Sequence, residues 1–517
     1  MVETFQEVEL KLNLLKPEEA PEIANTIKNL PEMELPFLGN PIESIYYDTP
    51  DHALYSAGWT YRIRKEKNGW TATVKGMGSS DGGLHKRNEW NLSIDEPAPS
   101  IEAFDVPEIQ QILMRLVAHK ELKPMIKTIF KREKGLWKDG EGNLVEIALD
   151  TGHIEADGTT APINELELEL KAGKPDALLI LGKRISEKHA FKPGSESKFF
   201  RGVKLLGLEK KSDKSKKNRT NPVCTSVETV SDGFRKITDN ALQQMNQSLE
   251  LLTEDPKDPE CLHQLRVSIR NIRSVLFLFR PSINREDYNR INQYLRQWHR
   301  ETNEIRELDV MKEHLQEWIK NLERPEQANW MTNEVEKILG HKKKWLETQI
   351  NEGKMTPKML EAWHMLEKLM HELSEDVVEK PAKDFIDKRL NKLIRGFNQQ
   401  AKKASIHNRE ELHRLRIRGK KIRYSIQNIQ FGADQKKHRN KSLRKALKVA
   451  KKLQDLLGDI HDCHCEINWM RYLASNRNTS LEEIECLGRY EGWQFSKQYR
   501  LEEKLANQWN EIQIEMG

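Results

Sequence analysis

The chain has 517 residues, with 85 Lys+Arg against 80 Asp+Glu, 37% hydrophobic and 32% charged residues, and a mean hydropathy of -0.76. That length exceeds what one hydrophobic core organises and predicts two or three domains of a water-soluble, helix-rich protein. No apolar run approaches the roughly 18 residues of a membrane span, Met1-Val2-Glu3-Thr4 opens no signal peptide, and the five scattered cysteines (Cys224, Cys261, Cys463, Cys465, Cys486) form no disulfide framework, so a cytosolic protein without membrane contact is expected.

The chain changes character near residue 210. Before it, short alternating segments are separated by turn signals such as Asp81-Gly82-Gly83 and Asp139-Gly140-Glu141-Gly142. Helical pieces at Pro17 to Leu30 and Asp176 to His189 interrupt them. After it, long segments of helical period dominate. The polar, basic stretch 209–226 reads as a linker, which predicts domains at 1–208 and 227–517. Residues 1–226 carry 33 basic against 35 acidic side chains, and 227–517 carry 52 against 45. Within 401–452 there are 18 basic residues and only Glu410, Glu411 and Asp434 as acids. Such an excess repels itself unless water, salt or a polyanion neutralises it.

In Glu7-Val8-Glu9-Leu10-Lys11-Leu12 the charged side chains share one strand face and the apolar ones the other. The pattern recurs in Val145 to Asp150 and in Glu165 to Lys171, while Tyr61-Arg62-Ile63-Arg64 and Thr71 to Lys75 place cations on one side. Two arrangements accept this: a sandwich with charges in solvent, or a barrel with charges lining its bore. Alternation alone favours the first, because buried like charges are costly unless metal ions and a ligand neutralise them. In the second, carboxylates would hold hard divalent cations and the bases a chain of phosphates.

Several motifs occur in order: Glu7-x-Glu9-x-Lys11, Tyr46-Tyr47-Asp48-Thr49-Pro50, Arg62-x-Arg64, Lys75-Gly76, Gly82-Gly83-Leu84-His85-x-Arg87-x-Glu89, Glu165-x-Glu167-x-Glu169 and Ser197-Lys198-x-x-Arg201-Gly202. Together they resemble the CYTH family of triphosphate tunnel metalloenzymes, in particular its bacterial inorganic triphosphatases. The resemblance implies an eight-stranded antiparallel β tunnel with flanking helices that hydrolyses a triphosphate with Mg2+ or Mn2+. It implies Glu7 and Glu9 as metal ligands and Lys11 as a phosphate contact. Arg62, Arg64, Lys75, Arg87, Arg132 and Lys198 would clamp the phosphate oxygens. Asp150, Glu165 and Glu167 would hold a second metal or the attacking water, with Glu169 of the right parity but an open role. Glu7, Glu9, Lys11, Glu165 and Glu167 are thus the implied catalytic set.

Phosphoanhydride hydrolysis needs charge neutralisation and placed water, and no protein nucleophile. No thiol precedes Cys224, which excludes a catalytic cysteine in the first domain. Tyr46, Tyr47, Trp59 and Trp90 read as barrel packing rather than as a base-binding signature, which favours unadorned triphosphate as substrate. The same family includes adenylate cyclases and nucleoside or thiamine triphosphatases, so a nucleotide-acting tunnel is one alternative. A non-catalytic polyphosphate-binding protein is another.

Helical offsets of 0, 3, 7 and 10 fall within an arc of about 80 degrees, so His263, Arg266, Arg270 and Arg273 form one stripe opposite Leu265, Ile269, Ile272 and Leu276. The stripe recurs about 150 residues later as His413, Arg416, Lys420 and Arg423 against Leu415 and Ile422. Ile305 to Val310 is loosely echoed by Leu457 to Asp462. These repeats predict tandem four-helix bundles, near 227–375 and 376–517. The His-x-x-Arg helices, with Arg306 and Asp309 and then His461 and Asp462, resemble the CHAD domain. That resemblance implies inorganic polyphosphate bound by the eight stripe residues. Glu307 and His461 depart from the family's usual residues. His461 and Cys465, one turn apart, lack a second metal-ligand pair, and Trp298-His299 and Trp363-His364 read as bundle packing. The stripes lack aromatic interleaving for base stacking, so nucleic acid is not an expected partner. The fold class expected is an α+β domain followed by an all-α domain.

Overall fold

Alternation of charged and apolar side chains builds long strands in the first part of the computed structural model, and their pairing closes on itself. The described residues are 3–66, 69–81, 84–208, 223–224, 228–406, 408–427, 430–431, 439–475 and 478–515. They divide into one unit of Met1–Arg219 with Gln349–Met365 and another of Thr220–Thr348 with Leu366–Gly517. Apart from 223–224, the expected linker lies outside the described residues.

The first unit contains β1 (Glu3–Leu14), β2 (Met33–Asp48), β3 (Thr60–Glu66), β4 (Gly69–Asp81), β5 (Leu84–Ile94), β6 (Lys123–Lys138), β7 (Leu144–Ala156), β8 (Thr159–Ala172) and the short β9 (Phe191–Pro193). Their order is β5-β4-β3-β2-β6-β7-β8-β1-β9, and a further β5–β1 pairing closes the eight long strands into an antiparallel barrel. β1 makes the closure by pairing with β5 from Glu3↔Asn91 to Leu10↔Leu84 and with β8 from Glu9↔Glu169 to Asn13↔Glu165. The expected eight-stranded tunnel is therefore present, with a ninth strand beside β1. Among the described residues, closure leaves no unpaired edge along the barrel wall.

Helices α1 (Ala20–Lys28), α2 (Ala53–Ser56), α3 (Pro107–Val117), α4 (Asp176–Ser186) and α5 (Lys198–Leu205) accompany the barrel. Leu10, Leu12, Val145, Ile147, Leu166 and Leu168 are fully buried on the outer wall. Gly182 of α4 lets that helix press on β1, since a Cβ there would lie 2.6 Å from Leu10 Cδ2. The arrangement favoured by alternation alone, with charges in solvent, is not adopted. Helices cover the apolar faces, so the other parity must face inward.

The second unit is helical: α6 (Val230–Glu254), α7 (Pro259–Phe279), α8 (Arg285–Glu301), α9 (Asn303–Ile319), α10 (Asn329–Asn351), α11 (Met355–His371), α12 (Glu375–Val378), α13 (Ala382–Lys403), α14 (Arg409–Gln427), α15 (Arg439–Ser475) and α16 (Leu481–Glu515). The last residues of α10 (349–351) and the larger part of α11 (355–365) group with the barrel unit. The repeat shows in the backbone. α6 and α7 correspond to α13 and α14, and α10 to α16. The pair α8–α9, broken at Thr302, stands where the second copy has the single 37-residue α15. α7 and α14 lie side by side, with Ser425 Oγ donating to Ser274 O at 3.2 Å. Leu265, Ile269, Ile272, Leu276, Leu415 and Ile422 are buried as their spacing predicts. Among the described residues no helix is long and apolar enough to cross a membrane.

Candidate functional site

The inward parity of the barrel strands encloses a cavity of about 240 Å3. Of the expected site residues, Glu7, Glu9, Lys11, Arg62, Arg64, Lys75, Arg132, Glu167 and Lys198 line it, and so does Glu169. Asp150 and Glu165 are fully buried. The side chain of Arg87 lies outside the described residues, although its backbone pairs with Glu7.

Register assembles the acidic cluster. Glu165 faces Asp150 across β7–β8, and Glu167 faces Lys11 across β1–β8. Ligand atoms of Asp150, Glu165 and Glu167 lie within 4.8 Å of one another. Four cations surround them. Lys11 Nζ is 2.9 Å from Glu167 and 3.6 Å from Glu165. Arg132 donates from Nε to Asp150 Oδ1 at 2.8 Å and also to Glu167. Lys198 Nζ is 2.7 Å from Asp150 and 3.0 Å from Glu167, and it also holds Glu165. Arg201 takes the other Glu165 oxygen.

Helix α5 delivers two of these cations. Ser197 caps it by accepting from Phe200 N at 3.2 Å, and Gly202 lets it press against Ile126. Burial pushes the Glu167 carboxyl up, but Lys11, Lys198 and Arg132 outweigh it and hold the group well below its ordinary range. Asp150 is lowered in the same way, burial being outweighed by Arg132 and Lys198.

A second cluster lies on β1, β3, β4 and β5. Lys75 Nζ bridges Glu7 at 2.6 Å and Glu89 at 2.7 Å, and Arg62 approaches Glu89 at 3.9 Å. Burial raises Glu89, but Lys75 and Arg62 bring it down to about 2. Glu7 responds oppositely: burial raises it, Lys75 lowers it, Glu9 and Glu89 raise it again, and it ends above its ordinary value. Glu169 is raised as well, by burial, with Lys171 lowering it and Glu7 and Glu146 adding to the rise. Register explains the crowding, since Glu9 pairs with Glu169 and Glu169 with Glu146.

Glu89 and Arg201 stand inside sequence motifs that assign them no role; alternating parity and helix position are the signals they carry. Tyr46, read as packing, packs 5.2 Å from Phe199 and also lines the cavity. Burial raises its phenol, but Arg62, Lys198 and Arg64 outweigh it and leave it lowered. Trp59 and Trp90 do stack, with ring centroids 5.8 Å apart.

In the helical unit, contact of α7 with α14 brings the two basic stripes together, and α8 adds a third row. Arg270 Nη1 lies 3.3 Å from His299 Nε2, and Arg270 and Arg423 both sit over the Tyr424 ring. Arg273 meets Asn292 at 3.1 Å. His299, expected to pack with Trp298, instead faces the cations: burial together with Arg266, Arg270 and Arg273 drives it down to about 2, so it stays neutral. Trp298 itself is buried.

Arg266 is committed elsewhere. Its guanidinium donates to His299 O at 2.9 Å, Thr302 Oγ1 at 2.7 Å and Asn303 Oδ1 at 2.8 Å, which satisfies the break between α8 and α9. Arg416, its repeat counterpart, lies beside Gly458 and Asp462 of the unbroken α15, and its Nε has no hydrogen-bond partner among the described residues. Burial and the neighbouring cations Arg416 and Arg270 lower Lys420 to about 8. Burial and Arg270 bring Arg266 to about 10. Burial lowers Arg273 and Lys421 with further help from neighbouring arginines. His263 is partly buried beside this row, and His413 is exposed. The His461–Cys465 pair lies 3.6 Å apart without a third metal ligand close by, among the described residues.

The sequence profile of the CYTH domain matches residues 6–203, and that of the CHAD domain matches residues 236–471. An inorganic triphosphatase of Haemophilus influenzae is 33% identical over 207 residues, which span 39% of this chain and 55% of that relative. The crystal structure of the CHAD domain from the plant Ricinus communis is 20% identical, with a TM-score of 0.45 over 58% of this chain and 95% of that one. A Hippeastrum protein described as an adenylyl cyclase with a dominant triphosphatase activity is 22% identical, with a TM-score of 0.27 over 39% of this chain and 99% of that one. The tunnel motifs, the paired basic stripes and the two profiles together make this chain a CYTH–CHAD protein, with its CYTH domain at residues 6–203 and its CHAD domain at residues 236–471.

Proposed function

We propose that the barrel hydrolyses inorganic triphosphate to pyrophosphate and phosphate with Mg2+ or Mn2+, and that the helical domain binds inorganic polyphosphate. The observation carrying the first half is a closed bore lined by both carboxylates and guanidinium or ammonium groups. A pure polyanion receptor has no use for Glu7, Glu9 and Glu169 inside its groove, which favours hydrolysis over simple binding. The similarity to the Haemophilus influenzae triphosphatase supports the same reading. Unpaired cysteines such as Cys463 and Cys486 fit a reducing, cytosolic setting.

The donor set fits hard divalent cations, which take carboxylate oxygen. The carboxylates differ in readiness. Asp150, Glu165 and Glu167 are neutralised by Lys11, Arg132, Lys198 and Arg201, and their chief task in this reading is to hold those cations in place. Glu7 and Glu169 are raised first by burial and then by neighbouring carboxylates, against Lys75 and Lys171, so a divalent ion at Glu7 and Glu9 would relieve that crowding, while Asp150, Glu165 and Glu167 are close enough together to hold a second one. A bound divalent ion supplies charge neutralisation on the phosphates and a lower pKa for the attacking water.

The chain's own residues do the rest. Arg62 and Arg64 on β3, with Lys75 on β4, grip phosphate oxygens from one wall, and Arg132 and Lys198 do so from the other. The Nε of Arg62 is buried with no hydrogen-bond partner among the described residues, leaving a donor for a phosphate oxygen. Lys11, held between Glu9 and Glu167, contacts phosphate where the acidic row and the cation cluster meet. Phosphate release from triphosphate, pyrophosphate, long-chain polyphosphate and ATP tests the assignment. Metal-dependent release from triphosphate is expected, and intact triphosphate after incubation with metal-loaded protein rejects it.

Polyphosphate binding is supported by cations that outnumber the carboxylates beside them, Asp462 being the acid next to Arg416 and Lys420. Arg270, Arg273, Arg416, Lys420 and Arg423 converge, joined by Lys421 and the neighbouring Arg296 and Arg300. Arg266 and His263 stand behind them in a supporting place, and His413 at the exposed end.

A further inference from the structure

Between α14, α15 and α16 lies a second concavity of about 1,090 Å3 whose chemistry differs from the basic cleft. Its walls include Leu412, Leu457, Ile460 and Leu505, and its rim carries the rings of His413, His461 and Tyr499. Tyr499 is 69% exposed although it is a large aromatic side chain. Burial and Arg416 lower His461 to about 4, so its ring is uncharged at neutral pH. The polar groups Asn468 and Glu503 also face the space, together with Glu410, Glu502, Arg414 and His464. Arg416 belongs to both places: it lines this groove, and it is one of the cations that depress Lys420 in the cleft. Its Nε has no hydrogen-bond partner among the described residues.

A bare phosphate chain gains nothing from leucine walls, because its oxygens stay solvated or paired with cations. An apolar, ring-edged groove continuous with an anion cleft through a shared arginine suits a ligand with a flat aromatic part joined to several phosphates. An alkyl diphosphate would fill the apolar walls but leave Asn468 and Glu503 unused, whereas a base and ribose offer donors and hydroxyls to both.

We propose that the groove between α14, α15 and α16 binds the nucleoside end of a nucleoside 5′-polyphosphate, with its phosphates running past Arg416 into the basic cleft. This rests on the reading of that cleft as a phosphate-chain site. The phosphates pair with Arg416, Lys420 and Arg270, and the base stacks at the Tyr499 side against the leucine wall. The helical domain then distinguishes a capped phosphate chain from an uncapped one.

Calorimetric titration of the full chain in EDTA, which suppresses turnover, tests this with adenosine 5′-tetraphosphate and inorganic tetraphosphate as probes. Base stacking predicts about tenfold tighter binding of the adenosine compound. Tyr499→Ala removes an exposed ring at little risk to folding, and Ala506→Trp fills the groove. Each is expected to bring the preference within about twofold while leaving inorganic tetraphosphate affinity unchanged. The barrel is common to all three proteins, so the difference between them reports the groove alone. Equal affinity of the two probes for the unmodified protein overturns the proposal, as does a preference that survives both substitutions. Inorganic tetraphosphate binding that Lys420→Met and Arg416→Met leave untouched overturns instead the cleft reading beneath it.

Discussion

The bore and the basic cleft are both rich in Arg and Lys, yet the two places treat those cations in opposite ways. In the bore, Lys11, Arg132 and Lys198 lose solvation, but Glu167, Asp150 and Glu165 more than compensate and their pKa values rise. In the cleft, Arg266, Arg273, Lys420 and Lys421 are desolvated beside one another and their pKa values fall. The barrel has paired its charges before any ligand arrives, which fixes their geometry. The helical cleft leaves its charges unbalanced, which suits an external polyanion and costs stability without one.

Substitutions separate these two conditions. The largest effect is expected for Asp150→Ala, which takes the fully buried carboxylate shared by Arg132 and Lys198 out of a closed interior and leaves Glu165 and Glu167 to balance them. A loss of about 3–5 kcal/mol is anticipated for breaking a buried pair, read by urea unfolding of the barrel unit. Next, Glu9→Gln should lower triphosphate hydrolysis by about 100- to 1,000-fold, with unchanged circular dichroism, because a charged oxygen is replaced without loss of volume. A wild-type rate in this variant removes Glu9 from the metal site.

Removing a lysine should then act with opposite sign in the two places. Lys198→Met is expected to destabilise the barrel by about 3 kcal/mol, since three carboxylates lose a partner. Lys420→Met should stabilise the ligand-free helical unit by about 1 kcal/mol while weakening polyphosphate binding. If both substitutions destabilise alike, the contrast between paired and unpaired cations is wrong.

The smallest expected effect is a pH dependence. Lys420 is depressed from its ordinary 10.5 to about 8 by burial and by Arg416 and Arg270. Charging it costs folded-state stability below that pH, so ligand-free stability should rise as pH climbs through the window from about 8 to 10.5. Polyphosphate prefers the charged amine. Binding should therefore take up a proton above about pH 8, and affinity should fall as pH rises through that range. Calorimetry at about pH 8.5 in buffers of different ionisation enthalpy measures the proton directly. Equal heats in such buffers would remove Lys420 from the binding site.

Much of this was legible before folding. The period of two in Glu7–Leu12 and Glu165–Lys171 assigned every charge to one parity. The offsets of 3, 4 and 3 in each His-x-x-Arg segment assigned every cation to one helical stripe, and the 150-residue interval announced the duplicated bundle. Long-range pairings were not legible. Glu89 gained its importance only when β5 met β1 and β4, and Arg201 only when α5 turned toward β8. The same sequence spacing that put Arg266 in the stripe hid its use at the α8–α9 break, because the carbonyl it satisfies lies 33 residues away.

The chain by itself thus determined which side chains act together on an element, because strand and helix periods are local properties of the backbone. It did not determine which parity faces inward. That depended on β1 closing against β5 and on helices such as α4 covering the leucines, and closure of a sheet is a property of all its strands at once. Nor did it determine where charge would be balanced, since electrostatic compensation depends on through-space neighbours and burial that only the assembled chain provides.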